Sequence, residues 1–275
     1  MSPFTPQPNS LEKAISESDL AAVQTLYAGT APAQQPAFLA KTAERAARRA
    51  QITILDWCFR AGLAVPQGET LNNELYDQAC FSRSPAVFEV LAAHGWDLNA
   101  HHSEFVGDAL SLAAYHGDTA LAEFLLEHGG VDPNQAWGYQ EHEAGVWAVV
   151  GPHRSPEFLR TMLSHGWKQA DSTAHIAAAE HGDMEILRLL VEAGSAKLEA
   201  TDPWWGNPTE IEADRWGTAL YRAALKGQED AVAYLLEKGA DPSFKDEKGR
   251  SCAWAAREGG SQRIVEMLEE KGVKE

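Results

Sequence analysis

Cysteine and positive charge are both scarce in this chain. Three cysteines among 275 residues, Cys58, Cys80 and Cys252, with no CxxC pair, supply neither a disulfide framework nor a zinc ribbon. They are expected to be small buried apolar side chains. Lysine and arginine number 23 against 40 aspartates and glutamates, a formal charge of −17. That field repels phosphate backbones and anionic bilayers, so nucleic acid and membrane are excluded as general partners and a neutral or basic partner is expected. Apolar runs of membrane-spanning length are lacking, and the opening MSPFTPQPNS has neither the charged n-region nor the apolar stretch of a signal peptide. Also missing are GxSxG, the P-loop, HExxH, the EF-hand loop and a GxGxxG after a strand. No cofactor and no metal are expected. These absences point to a reducing compartment, the cytoplasm, with the nucleus left open.

What the chain does have is self-similarity. GTALYRAALKGQEDAVAYLLEKGADPS from Gly217 returns in outline as GDALSLAAYHGDTALAEFLLEHGGVDPN from Gly107 and as STAHIAAAEHGDMEILRLLVEAG from Ser172. Each copy has a small-residue pair, a turn glycine, an apolar stripe at helical spacing and a closing glycine. The pair Ala223-Ala224 permits close helix approach, Gly227 breaks the first helix, and Val232, Leu235 and Leu236 give the second an apolar face. Helices this short are unstable alone and must stack on neighbouring copies. Aligned on Thr30, Gly62, Gly95, Gly129, Gly166, Gly194, Gly239 and Gly272, the glycine-to-glycine spacings are 33, 34, 37, 28, 45 and 33. Eight repeats therefore fill roughly residues 10 to 273, with one trimmed loop and one insertion of about a dozen residues.

A period near 33 with GADPS after a helix pair resembles the ankyrin-repeat family over nearly the whole chain, most specifically in RWGTALYRAALKGQEDAVAYLLEKGADPSFKD, residues 215 to 246. The family's TPLH tetrapeptide is missing from every copy. Thr218-Ala219-Leu220-Tyr221 is nearest, and the histidine slot elsewhere holds Glu12, Glu44, Asp77, Ser111, Ala148, Ile176 and Trp254. The resemblance implies an all-α solenoid of stacked helix pairs with finger loops. The expected organisation is a disordered tail over residues 1–9 and a single ankyrin-repeat domain over 10–275, with a Trp-rich insertion near 200–217. It also implies a non-catalytic intracellular scaffold that holds a partner protein or peptide on its concave face.

Ten histidines invite a metal or acid–base reading. His94, His128 and His165 each precede a closing glycine, where a partly charged ring suits the negative end of a helix. His116, His153 and His181 share another position, in a column that runs Arg49, Ser82, His116, His153, His181, Lys226. The column is either a set of tolerated turn residues or a mildly cationic ridge facing a carboxylate or carbonyl. Stacked helices lie about 8–10 Å apart, too far for these rings to share one metal ion. His101, His102 and Glu104, with His142 and Glu143, fall in predicted fingers, which are solvated by default.

Nine tryptophans divide into two groups. Trp57, Trp147 and Trp254 occupy helix slots expected to be core, and Trp96 and Trp167 follow closing glycines as padding for the helix-to-finger junction. Trp137 with Tyr139, and Trp204, Trp205 and Trp216, instead fall in finger or insertion segments. There they serve either as a brace folded onto the repeats or as an aromatic wall that stacks on a basic or aromatic group. The competing function is a small-molecule site or enzyme, with a pocket lined by these tryptophans and by His116, His153 or His181 as its catalytic candidates.

Overall fold

The computed structural model describes residues 8–68, 70–71, 73–102, 107–137, 142–168, 172–193, 196–201 and 217–273. Within them the chain is a succession of eight helix pairs. The first three are α1 (Pro8–Ser16) with α2 (Leu20–Ala28), α3 (Gln35–Arg48) with α4 (Ile52–Arg60), and α5 (Glu74–Ser82) with α6 (Pro85–Ala93). Next come α7 (Ala109–His116) with α8 (Thr119–Glu127), α9 (Ala144–Val150) with α10 (Pro156–Ser164), and α11 (Ala174–His181) with α12 (Met184–Glu192). The last two are α13 (Ala219–Leu225) with α14 (Glu229–Glu237), and α15 (Cys252–Glu258) with α16 (Gln262–Glu270). Since α1 begins at Pro8, the last two residues of the expected tail are its first helical residues. Residues 1–7 lie outside the described residues.

These pairs fall into two compact units, one of residues 1–113 and 118–142, the other of residues 114–117 and 143–275. In the first unit α1, α3 and α5 pack side by side as one layer, and α2, α4, α6 and α8 pack as the other. In the second, α9, α11, α13 and α15 form the first layer and α10, α12, α14 and α16 the second. The apolar stripes read from the sequence are what each unit buries: Ile54, Leu55, Val87, Phe88 and Leu91 in the first, and Phe158, Leu159, Ile186, Leu190, Val232 and Leu235 in the second. Cys58, Cys80 and Cys252 are buried and unbridged. Burial pushes the thiols of Cys58 and Cys252 up to about 12 and that of Cys80 well above its ordinary value, which keeps all three un-ionised and inert. Among the described residues, regular β structure is confined to fingers. In the first unit β1 (Thr70–Leu71) pairs in parallel with β2 (His101–His102), Thr70 opposite His101. β3 (Ala136–Trp137) and β4 (His142–Glu143) follow. No helix of the described residues is long and apolar enough to cross a membrane.

The pairs turn in the same way even where the sequence repeat is faint. A left-handed residue separates the two helices of every pair: Gly117, Gly182, Gly227 and Gly260 in four of them, and Ser18, Ala50, Arg83 and Arg154 in the others. In four pairs the second helix then starts on a side-chain cap that accepts from a first-turn N–H: Asp19 from Ala22, Ser155 from Phe158, Asp183 from Ile186 and Ser261 from Ile264. A left-handed non-glycine residue costs on the order of 1 kcal/mol. Ala50 has φ of 50° and an exposed side chain, so replacing it loses no packing. Ala50→Gly is expected to stabilise the protein by roughly 0.5–1 kcal/mol, read as a raised urea midpoint at unchanged slope.

One alignment point moves. The left-handed closing residue of the fourth pair is Gly130, φ 65°, rather than Gly129. The Gly129 N–H bonds five residues back to the Phe124 carbonyl and the Val131 N–H six back to that of Leu125, so one extra residue is taken up in a wide turn. A Cβ at Gly129 would crowd the Leu125 carbonyl oxygen, which explains the second glycine.

Candidate functional site

The histidine column was the first candidate, and the turns decide where its members go. His116 and His181 end α7 and α11, while His153 lies in the turn after α9. His116 and His153 are brought together, ring centroids 6.4 Å apart. A Cβ on Gly117 would lie 3.0 Å from that of His153, so this approach depends on the glycine. His181 is half-buried, and its imidazole is held below its usual range by burial first and then by the nearby charge of Arg154. Lys226, the last member, reaches to 3.7 Å from the Glu180 carboxylate. No group of three His, Cys, Asp or Glu side chains among the described residues is arranged to hold a metal ion.

The histidines before closing glycines divide. His165 Nδ1 lies 2.9 Å from the Thr161 carbonyl at the end of α10, the helix-end role expected of it. His94 instead places Nε2 2.9 Å from Asp56 and stacks on Phe59. Trp96 and Trp167 are buried at their junctions, and Trp167 fills the space left open by Gly145 of α9, where a Cβ would overlap its ring. Trp57, Trp147 and Trp254, expected in the core, are half-buried. Each meets a neighbour at the layer's edge: Trp57 the Tyr27 ring at 5.5 Å, Trp147 the Tyr115 ring at 6.3 Å, and Trp254 the Arg250 guanidinium at 4.3 Å. Of the finger aromatics, Trp137 belongs to β3, whereas Tyr139, Trp204, Trp205 and Trp216 lie outside the described residues, as does Glu104. His142 and Glu143 form β4.

Three polar arrangements were not anticipated. Arg222 of α13, 1% exposed, is ion-paired with Glu180 of α11, whose side chain is 10% exposed. His175, also of α11, is 1% exposed. Burial lowers its imidazole to about 4. Neither ring nitrogen reaches hydrogen-bond geometry, although backbone groups of Lys197 and Ser172 lie close enough to oppose the shift. Finally, Tyr221 stands in the slot of the missing TPLH histidine, and its hydroxyl donates to Asp246 at 2.9 Å. Asp246 also accepts from the Arg250 Nε at 2.6 Å and from the Arg250 and Lys248 N–H groups. Burial works against this carboxylate, but the bonds from Arg250 and Tyr221 prevail and hold it below its ordinary range.

A recess of about 810 Å³ is an open groove in the second unit across α10, α12 and α14. Its walls carry Arg160, Arg188, Glu185, Asp230 and Glu237 over Tyr234 and Leu189. Arg160 pairs there with Glu185 at 3.0 Å, and Arg188 lies 5.6 Å from the Tyr234 ring centroid. Two smaller recesses lie at Gly182–Gln228 and at Glu44–Glu74. None of the three is lined by His116, His153 or His181.

Comparison with known proteins agrees with this architecture. A model of three successive ankyrin repeats matches residues 146–246 and again 175–274, and a single-repeat model matches residues 108–136. An ankyrin repeat and KH domain-containing protein of Caenorhabditis briggsae is 28% identical over 204 residues, 70% of this chain but 8% of that protein. The ankyrin repeat protein nuc-2 of Neurospora crassa is 27% identical over 160 residues, 58% of this chain and 11% of that one. The chain thus spans only a small part of these relatives' length. Among solved structures, the human ASB11 ankyrin repeat domain superposes with a TM-score of 0.61 at 17% identity, covering 85% of this chain and 98% of that one. The ankyrin repeat domain of Bcl-3 gives a TM-score of 0.61 at 19% identity, covering 82% and 97%. At these identities the two structures speak for the fold alone.

Proposed function

The chain belongs to the ankyrin-repeat family, and from that premise we propose that it is a non-catalytic scaffold that binds a partner protein or peptide in the cytoplasm or nucleus. The partner is neutral or basic, because the formal charge of −17 repels anions. The residues proposed to hold it are Trp137, Tyr139, Trp204, Trp205 and Trp216 as aromatic anchors, and His116, His153, His181 and Lys226. The observation that supports this reading is the run of matched ankyrin repeats over residues 108–136, 146–246 and 175–274, since stacked repeats of this kind present extended binding surfaces.

The experiment is affinity capture from native lysate, with wild type against Trp204→Ala/Trp205→Ala, scored for both proteins and extracted small molecules. A protein held by wild type and released by a variant of equal melting temperature supports the scaffold and its aromatic anchors. A lowered melting temperature with the protein retained makes the two tryptophans a brace. A metabolite without any protein overturns the reading in favour of a small-molecule site.

A further inference from the structure

Positive charge, scarce in the chain as a whole, gathers toward the end of α3. Residues 41–50, KTAERAARRA, hold Lys41, Arg45, Arg48 and Arg49 against the single acid Glu44. Within the first unit most of this charge is answered. Arg45 and Arg49 both reach Glu12 at 2.8 Å, and Arg83, just past α5, reaches Asp118 at 2.8 Å. Arg48 is exposed and has no carboxylate partner among the described residues. Its guanidinium carbon lies 4.6 Å from the centroid of the Phe81 ring on the neighbouring helix α5.

Phe81 supplies a second and independent observation. It is 51% exposed, the most exposed large apolar side chain among the described residues. The fold places it there: two residues before the left-handed turn, α1, α3 and α5 hold Ser16, Arg48 and Phe81, all three in solvent. Serine and arginine suit such a slot, whereas a phenyl ring leaves half its surface in water beside an uncommitted cation. A guanidinium that meets a ring through its face keeps its N–H donors, which lie in its own plane, for a carboxylate held by two parallel bonds. Arginine and aromatic side chains are also the residues that most often anchor a partner.

We propose that Arg48 and Phe81 form a docking site for a partner segment in which an aspartate or glutamate adjoins an aromatic or aliphatic side chain. The carboxylate binds the Arg48 guanidinium, and the apolar group covers the exposed part of the Phe81 ring. The assignment rests on the scaffold reading above and adds to it one seat and the segment that fills it. Charge decides the anion. One guanidinium is uncommitted, so a singly charged carboxylate is balanced, whereas a phosphate, with about two charges at neutral pH, would leave an excess on a molecule of formal charge −17. Charge also sets the direction of the segment, because one turn earlier α3 and α5 carry Glu44 and Asp77, which keep an anion at the turn end. The partner as a whole remains neutral or basic, and only this segment carries the acid.

The test titrates two blocked peptides into the full chain, acetyl-Gly-Glu-Phe-Gly-amide and its glutamine counterpart, and follows the Arg48 Nε–H resonance by NMR, assigned with Arg48→Lys. Arg48→Gln is compared with Arg263→Gln, which removes the same charge from an exposed position on α16. Phe81→Ser, the residue type of the Ser16 slot, removes the ring alone. Circular dichroism checks that all three variants keep wild-type helicity. The Arg48 resonance is expected to shift with the glutamate peptide and the glutamine peptide to bind about fivefold more weakly or worse. Arg48→Gln is expected to weaken the glutamate peptide by a similar factor, Arg263→Gln by under about twofold, and Phe81→Ser to weaken it as well. Equal weakening by the two arginine variants, equal affinity of the two peptides, full affinity in Phe81→Ser or an unmoved Arg48 resonance overturns the assignment, and Arg48 then does no more than cover Phe81. A phosphoserine peptide of the same frame that binds more tightly than the glutamate one overturns the choice of carboxylate. A natural partner captured equally by wild type and by Arg48→Gln/Phe81→Ser rejects this site while sparing the scaffold reading, which fails only if wild type captures no protein.

Discussion

Arg222→Ala is expected to cost about 3 kcal/mol of stability, measured by urea denaturation. The Glu180 side chain, 10% exposed, would be left in the protein interior without the guanidinium that now neutralises it. Removing one member of a buried pair costs about 3–5 kcal/mol, and the value lies toward the lower end because the Lys226 ammonium, 3.7 Å from the same carboxylate, remains. Replacing both members by apolar residues of similar length has a different result. Glu180→Leu/Arg222→Met removes the isolated charge together with its need for a partner, and stability is expected to return to within about 1 kcal/mol of wild type. A loss below about 0.5 kcal/mol in Arg222→Ala would show that the pair is solvated in solution.

His175 governs the second large effect, a loss of stability in mild acid. Its folded-state value, about 4, lies below the ordinary 6.5, so between these limits the unfolded chain takes up a proton that the native one refuses. Stability is therefore unaffected by this group above the ordinary value and falls as pH drops toward 4, by about 3 kcal/mol in all. His175→Leu puts an apolar side chain in the slot that Leu220 fills two helices later. The difference in unfolding free energy between variant and wild type should widen by about 3 kcal/mol from about pH 7 to about pH 4. Glu44, Asp77 and Asp108, all raised, act in the opposite direction as acid is added, but they are common to both proteins and cancel in the difference. A constant gap across this range would mean that His175 titrates normally.

The architecture was legible because it is written in position rather than in residue identity. Before residue 75 the repeat is faint in letters, yet Ser18 and Ala50 hold the left-handed turn that glycine holds in most later pairs. Their backbone angle, which the sequence does not display, carries the period. His175 was within reach: counting back from Ala178-Ala179 puts it in the leucine slot, and a histidine there is buried in the layer rather than set on a surface ridge. The Glu180–Arg222 pair was not, since its members stand 42 residues apart across the Trp-rich insertion, where the period of 33 no longer indicates which side chains face each other. Tyr221 was marked as a departure from the expected tetrapeptide. That its hydroxyl ties it to Asp246, 25 residues on, is visible only in the folded chain.

The wide turn at Gly129-Gly130 has a consequence for how such a chain tolerates change. One residue more than its neighbours is absorbed locally, while the apolar positions Leu121 and Leu125 of α8 stay fully buried. Downstream, the amide of Asn99 still reaches the Gly130 carbonyl at 2.5 Å and the Asp132 N–H at 3.0 Å, fastening one finger base to the next. At this pair registration is thus renewed by side-chain contact, and the extra residue is not passed on to α8. A frame of this kind offers a natural place to splice in a reporter or a recognition loop, because errors of length are forgiven within a single turn.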